Sequence, residues 1–198
     1  MIIMKKSSAA KFTKKHESHE RIVAVTARAI RRSGYEGTGI ANIMKEAGLT
    51  HGGFYAHFPS REALLAEAAD RAGAESVALA TAVAGSAPAG QELAALVRSY
   101  LSEQHLSAIE QGCPIAALGS EMPRQSNEVR QAATRRIQQM LELVENYSPS
   151  DENRSSHEYA LTTLSTLVGT LVLARAVDDT SLSDALLNAT LKQFKVSA

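Results

Sequence analysis

Apolar residues recur at helical spacing along most of this sequence. From about Ser18 to Ser33, Ile22, Val25 and Ala29 form a stripe flanked by Thr26 and Ile30, with Arg21, Arg28, Arg31 and Arg32 on the remaining positions. Gly34 ends that helix as a residue able to take positive φ. Ile40, Ile43, Met44 and Ala47 stand at i, i+3, i+4 and i+7 and predict a second helix, with Thr38 or Gly39 at its start. Gly48 makes a turn, and Thr50 begins a very short third helix over about His51–His57. Pro59 stops it, and Ser60 caps a fourth helix continuing to about Ala84.

Beyond residues 85–90, rich in Gly, Ala and Pro, the pattern predicts further helices to about Gln111, over Pro114–Met122, Asn127–Asn146, Glu158–Val177 and Ser183–Lys195. The fold class is therefore all-α, with about nine helices. The domains are a basic flexible tail at 1–15, a helix-turn-helix unit at 16–65 and a larger helical domain at 66–198. The tail carries five lysines and reads either as disordered or as a basic arm for phosphates or the minor groove.

Charge adds a second level. Residues 1–65 carry eleven Lys and Arg against five Asp and Glu, and residues 66–198 carry ten against sixteen. The two parts are +6 and −6, so a polyanion is drawn to the first and repelled by the second. The single cysteine, Cys113, excludes an intramolecular disulfide. The initial MIIMKKSS has too short an apolar run for a secretory segment. The run Ala160–Val177 is interrupted by threonines, Ser165 and Arg175, and reads as a buried helix rather than a membrane span. A cytoplasmic protein without membrane contact is expected.

The third helix is too short to stand alone. Phe54 and Phe58, four apart, must hold it on the first two helices, leaving His51, Gly52, Gly53, Tyr55, Ala56 and His57 toward the outside. Two adjacent glycines are unfavourable in a helix, by about 1 kcal/mol each relative to Ala. They either let the backbone approach a partner closely or mark a loose turn.

These residues resemble the N-terminal domain of the TetR/AcrR family of transcriptional regulators. The resemblance rests on Gly34-Tyr35, Thr38-Gly39-Ile40-Ala41-Asn42-Ile43, Gly52-Gly53-Phe54-Tyr55-Ala56-His57-Phe58 and Pro59-Ser60-Arg61-Glu62-Ala63-Leu64. It implies that Thr38, Thr50, Tyr55, His57 and Arg61 touch phosphates, with His51, Gly52, Gly53 and Ala56 nearest base edges. Thr26 replaces the family's usual Ala, and the glycine pair leaves few side chains for base readout. Specificity then falls to His51, to Asn42 and Lys45 of the second helix, and to DNA shape.

The resemblance implies a homodimer on double-stranded operator DNA and a small-molecule or electrophile effector, with repression as the expected outcome. Leu164, Leu167, Val168 and Leu171, around Gly169, form an apolar face expected to meet a second subunit, the alternative being burial within one subunit. Cys113, followed by Pro114, sits at a helix N-cap where a thiolate is favoured. The segment from Gly112 through Leu118, with Glu121, resembles a subgroup that includes electrophile-responsive repressors. Cys113 is then either a sensor or a small residue lining a cavity. His16, His19 and Glu20 share a helical face, but a flexible tail is a poor metal cage, and no metal is expected. No cofactor or catalytic fingerprint is present, so no enzyme is expected; a small all-α enzyme or carrier with an apolar pocket is the alternative.

Overall fold

The computed structural model describes residues 3–150 and 152–196, with side chains from Lys14 onward. Among the described residues it is helical, without strands. Helix α1 spans Ile3–Ser33 and α2 spans Ile40–Glu46, followed by a 3-10 segment, His51–Ala56. Helix α3 (Arg61–Ser86) leads into α4 (Glu92–Tyr100), α5 (Glu103–Ser107) and a 3-10 turn at Ile109–Gln111. Then come α6 (Pro114–Leu118), a 3-10 turn at Met122–Arg124, α7 (Asn127–Glu145), α8 (Ser156–Ala176) and α9 (Thr180–Gln193).

Several boundaries follow from local chemistry. Gly34 and Gly48 take φ of +73° and +71° and end α1 and α2, as the sequence predicts. The Ser60 hydroxyl accepts the Ala63 N–H at 3.1 Å, capping α3. Ser155 and Glu158 form a reciprocal capping box at the start of α8.

Three expectations change. The flexible tail at 1–15 is instead helical from Ile3; its residues 1 and 2 lie outside the described residues. No Gly or Pro precedes Gly34, and the segment is rich in Lys and Ala, both good helix formers. The single helix expected up to Gln111 is broken after Tyr100. Ser102 caps a new helix by accepting the His105 N–H at 3.2 Å, and the His105 ring takes the Tyr100 carbonyl at 2.7 Å. The 65/66 domain boundary falls inside α3, which runs without interruption.

Three cores result. Ile22, Val23, Val25, Ile43, Met44, Ala47, Phe54, Phe58 and Leu64 close the N-terminal unit. A second core joins α1 to the body through Ile30, Tyr35, Leu65, Ala68, Leu118 and Val129. The third joins α4, α8 and α9 around Val97, Leu167, Leu187 and Leu191. Helix α8 has the length and hydropathy of a membrane span, yet it packs against α7 and α9. Leu164, Leu167 and Leu171, expected at a subunit interface, are buried inside the protomer at 7%, 4% and 0% exposure, and only Val168 of the four is half-buried. Helix α8 spreads its apolar residues over all its sides, between threonines and serines, so periodicity alone could not say which face looks inward. The exposed apolar side chains of this region are Leu161, Val172, Leu173 and, on α9, Leu182.

Candidate nucleic-acid interface and effector cavity

The segment His51–Ala56 is a 3-10 helix, tighter than an α-helix. Two glycines give it little intrinsic helicity, and it is held by tertiary contacts instead. Phe54 and Phe58 are buried at 0% and 1% exposure, with ring centroids 5.7 Å apart. The His19 ring of α1 stacks on Phe58 at 4.4 Å while its Nε2 meets Glu67 Oε2 at 2.7 Å. Glu20 pairs with Arg71. His19 and Glu20 thus have partners within the protein, and among the described residues no group of three metal-ligand side chains occurs.

This anchoring leaves a continuous outer surface. Asn42 and Lys45 on α2, and Thr50, His51, Gly52, Tyr55 and Ala56, are exposed, Tyr55 at 72%. Gly53 is half-buried, and a Cβ on Gly52 would meet no atom within 4 Å. Thr50 stands at the N-cap with extended backbone, but its hydroxyl makes no capping bond. Gly39, not Thr38, is the N-cap of α2 and supplies no side-chain acceptor.

Three residues assigned to phosphates have partners or burial that qualify the role. Thr38 is 4% exposed and its hydroxyl donates to the Gly34 carbonyl at 2.7 Å. Arg61 donates through Nη2 to the Tyr35 carbonyl. His57 is half-buried with an unpartnered, buried Nδ1, and burial, then His19 and Lys15, push its pKa below the ordinary imidazole value.

The body contains a cavity of about 230 Å³ between α3, α4, α7 and α8, reached by Tyr100, His105, Gly112, Cys113, Leu164 and Leu167. Cys113 is the N-cap of α6, with Pro114 at the first helical position, as the sequence predicts, and is 3% exposed. Its N–H donates to His105 Nε2 at 2.9 Å, while His105 Nδ1 faces the Tyr100 carbonyl. Only the neutral Nδ1–H tautomer satisfies both partners. Burial lowers the His105 pKa; the Tyr100 carbonyl opposes this and Arg175 adds to it, leaving the net direction down. The buried Tyr100 hydroxyl has no partner, and burial, followed by Cys113, pushes its pKa up.

Pattern reading of the sequence missed how this cavity is tied to the N-terminal unit. The Arg31 side chain is completely buried; Nη2 meets Glu75 at 2.6 Å and Nη1 donates to the Gly112 carbonyl at 3.4 Å. Arg32 bridges Glu110, in the turn before Cys113, and Glu46 of α2. Arg175 donates to the carbonyls of Leu106 and His105 at 3.1 and 2.6 Å. The clue in sequence was the i, i+4 placement of Arg31 behind buried Ala27, but its acid lies 44 residues away.

An aromatic-anchored 3-10 segment displayed beside α2, within the first 65 residues of net charge +6, defines a helix-turn-helix DNA-binding protein. Residues 22–68 match the family described as bacterial regulatory proteins, tetR family, and residues 89–190 match the tetracyclin repressor-like C-terminal domain. An HTH-type transcriptional regulator of Mycobacterium tuberculosis strain H37Rv is 33% identical over 171 residues, covering 81% of this chain and 85% of the relative. A TetR transcriptional regulator from Chloroflexus aurantiacus is similar in structure, with a TM-score of 0.77, 25% identity, and 92% and 96% of the two chains covered. NemR of E. coli in its reduced form has the same fold, at a TM-score of 0.77 and 20% identity, over 92% and 98% of the chains. The chain belongs to the TetR family and is a DNA-binding transcriptional regulator.

Proposed function

We propose that the protein is a repressor that binds a palindromic operator as a homodimer and leaves it when a small effector enters the Cys113 cavity. The observation that carries this reading is the buried contact between Arg31 of α1 and Gly112 beside that cavity. A cavity occupant that moves the Gly112–Cys113 backbone must also move or break the bonds to α1 and α2. The effector acts only through its different affinity for the two arrangements.

Lys45, Thr50 and Tyr55 set the register on phosphates, and His51, Asn42 and Ala56 lie toward base edges, with the Gly52-Gly53 backbone close to the groove. Arg61 acts on DNA chiefly by holding the Tyr35 turn. Leu161, Val172, Leu173 and Leu182 on α8 and α9 meet the second subunit, replacing the inward-facing leucines first expected there. Gly169, beside open space, allows close helix approach. Two copies then present recognition segments to half-sites about 34–36 Å apart. A DNA partner supports a cytoplasmic location.

Cys113 lines the cavity, so an electrophile that enters it reaches the thiol, which is the second form of the same input. Because it is the sole cysteine, thiol reagents report on it alone. The test is fluorescence anisotropy on DNA from upstream of the gene, with increasing salt and with N-ethylmaleimide. Affinity should fall steeply with salt, and the reagent should release wild type but not Cys113→Ser. Salt-insensitive binding would refute the DNA reading, and equal release of both proteins would refute the thiol input.

A further inference from the structure

Helix α1 begins well before the fold that it helps to build. It runs beside α3 in the same direction: His19 meets Glu67 at 2.7 Å, Glu20 pairs with Arg71, and Arg31 meets Glu75 at 2.6 Å. Its C-terminal end lies at the body, where the Tyr35 N–H donates to Glu121, so its N-terminal end points away from the body. On the way it passes the end of the recognition segment, His51–Ala56. The His19 ring stacks on Phe58, and Lys15 is near enough to His57 for its charge to add to the burial and the His19 ring that hold that imidazole below its ordinary pKa.

The helix leaves its packing at this point. Lys14, Lys15, His16 and Glu17 are all exposed, and four successive helical residues face every side, so this turn is open to solvent all round. The helix nevertheless continues N-terminally to Ile3, a further rise of about 17 Å.

Charge changes at the same place. Residues 1–16 contain five lysines and no Asp or Glu. Lys11, Lys15, Ser18 and Ile22 follow one another at helical spacing, so the stripe that is buried from Ser18 onward becomes basic upstream. Lys14 neighbours Lys11 on that side. Lys11 and Lys15 repel each other across one turn, and no acid stands three or four residues from either. A polyanion relieves that repulsion, and the one beside this turn is the DNA that the recognition segment faces.

We propose that α1 projects past the recognition segment as a basic arm, with Lys11, Lys14 and Lys15 on the phosphates that flank each half-site. The operator is then longer than its two half-sites, and the added contacts position the protein without reading bases. This rests on the DNA reading above and names a contact surface outside the helix-turn-helix.

The test is hydroxyl-radical footprinting and salt-dependent anisotropy of the full chain on DNA from upstream of the gene. The triple variant combines Lys11→Gln, Lys14→Gln and Lys15→Gln, and its melting should match wild type. Its footprint should lose the outermost protected sugars at both ends and keep the centre. The slope of log affinity against log salt should fall by about one for each lysine. Lys45→Ala should lower the slope and leave the footprint's length unchanged. On a duplex trimmed to the centre of the footprint, wild type and triple variant should bind alike; on one that keeps its flanks, wild type should bind about ten-fold more tightly. The proposal is overturned if the triple variant keeps the full footprint, even with a lower salt slope, because the charge then acts only at a distance. It is overturned equally if the loss of affinity is the same on trimmed and flanked DNA. Absence of any wild-type footprint would overturn the DNA reading itself and the arm with it, whereas the first two outcomes leave the regulator reading standing.

Discussion

Arg31 Nη1 lies 3.4 Å from the carbonyl oxygen of Gly112, the residue before Cys113, while its Nη2 holds Glu75 at 2.6 Å. One guanidinium on α1 thus joins the DNA-binding unit to the wall of the body's cavity. Arg31→Met should cost about 2–3 kcal/mol, because it leaves a buried carbonyl without a donor and weakens the Glu75 network. Glu110→Gln, at the exposed Arg32 pair, should cost less than about 1 kcal/mol. Urea unfolding of the two variants measures the contrast; equal losses would place the connection on the surface pair instead.

Acid should weaken the same junction. Burial alone would raise the carboxyls of Glu75 and Asp70, but Arg31 and Arg71 on one, and Arg136 and Arg135 on the other, hold both below their ordinary values. Their contribution is present in full above the ordinary carboxylate pKa of about 4 and is lost as pH falls through the lower folded values. Glu75→Gln should therefore be less stable than wild type near neutral pH, with the gap closing in strong acid. A gap that stays constant on acidification would show that Glu75 does not supply this pH dependence.

Gly52 separates folding from binding. Its Cβ position is open and its backbone lies outside the left-handed region, so Gly52→Ala should leave stability unchanged or raise it by up to about 1 kcal/mol. Operator affinity should fall about ten-fold if the backbone approaches the groove closely. Melting curves and anisotropy on the same sample test this; unaltered affinity would mean that the glycine pair only shapes the turn.

Lys45→Ala and Arg61→Ala should differ in kind. Lys45 is exposed on α2, so its loss should weaken binding across sequences and reduce the salt slope by about one, with little effect on melting. Arg61 is bonded to the Tyr35 carbonyl, so its loss should lower the melting temperature as well. If Arg61→Ala melts like wild type, the intramolecular bond is dispensable and the side chain acts directly on phosphate.

Gly112→Ala tests the cavity wall by steric means alone, since the backbone there is extended rather than left-handed. A Cβ would lie 2.9 Å from the Ala108 carbonyl oxygen and 3.0 Å from Arg175 Nη2. The carbonyl is backbone and gives way poorly, so a loss of about 1–3 kcal/mol is expected in chemical denaturation. Tolerance without loss would show that the 105–112 turn shifts easily.

The parts of the fold legible in sequence were those set by neighbours in the chain. Gly34, Gly48 and Ser60 mark their boundaries through backbone freedom or a cap, and Phe54 with Phe58 marks the inward side of the recognition segment. What escaped depends on distant partners. The burial of Arg31 needs Glu75 and Gly112; the break after Tyr100 needs the His105 ring to reach back to its carbonyl. The inward direction of Leu164, Leu167 and Leu171 is fixed by the helices around α8, which a helix with apolar residues on every side does not reveal. The glycine pair was seen, but its 3-10 geometry follows from the packing of Phe54.

Helix α3 begins in the DNA-binding unit at Arg61 and ends in the body at Ser86, pinned partway by Asp70 to Arg136 of α7 and by close packing at Gly73. Its 26 residues make a rod about 39 Å long. A tilt of about 5° about one end displaces the other by roughly 3 Å, which is about the rise of one base pair. Under the proposed function no hinge is needed between the two parts: a stiff lever would turn a movement too small to disrupt the body's core into one large enough to put two recognition segments out of step with DNA.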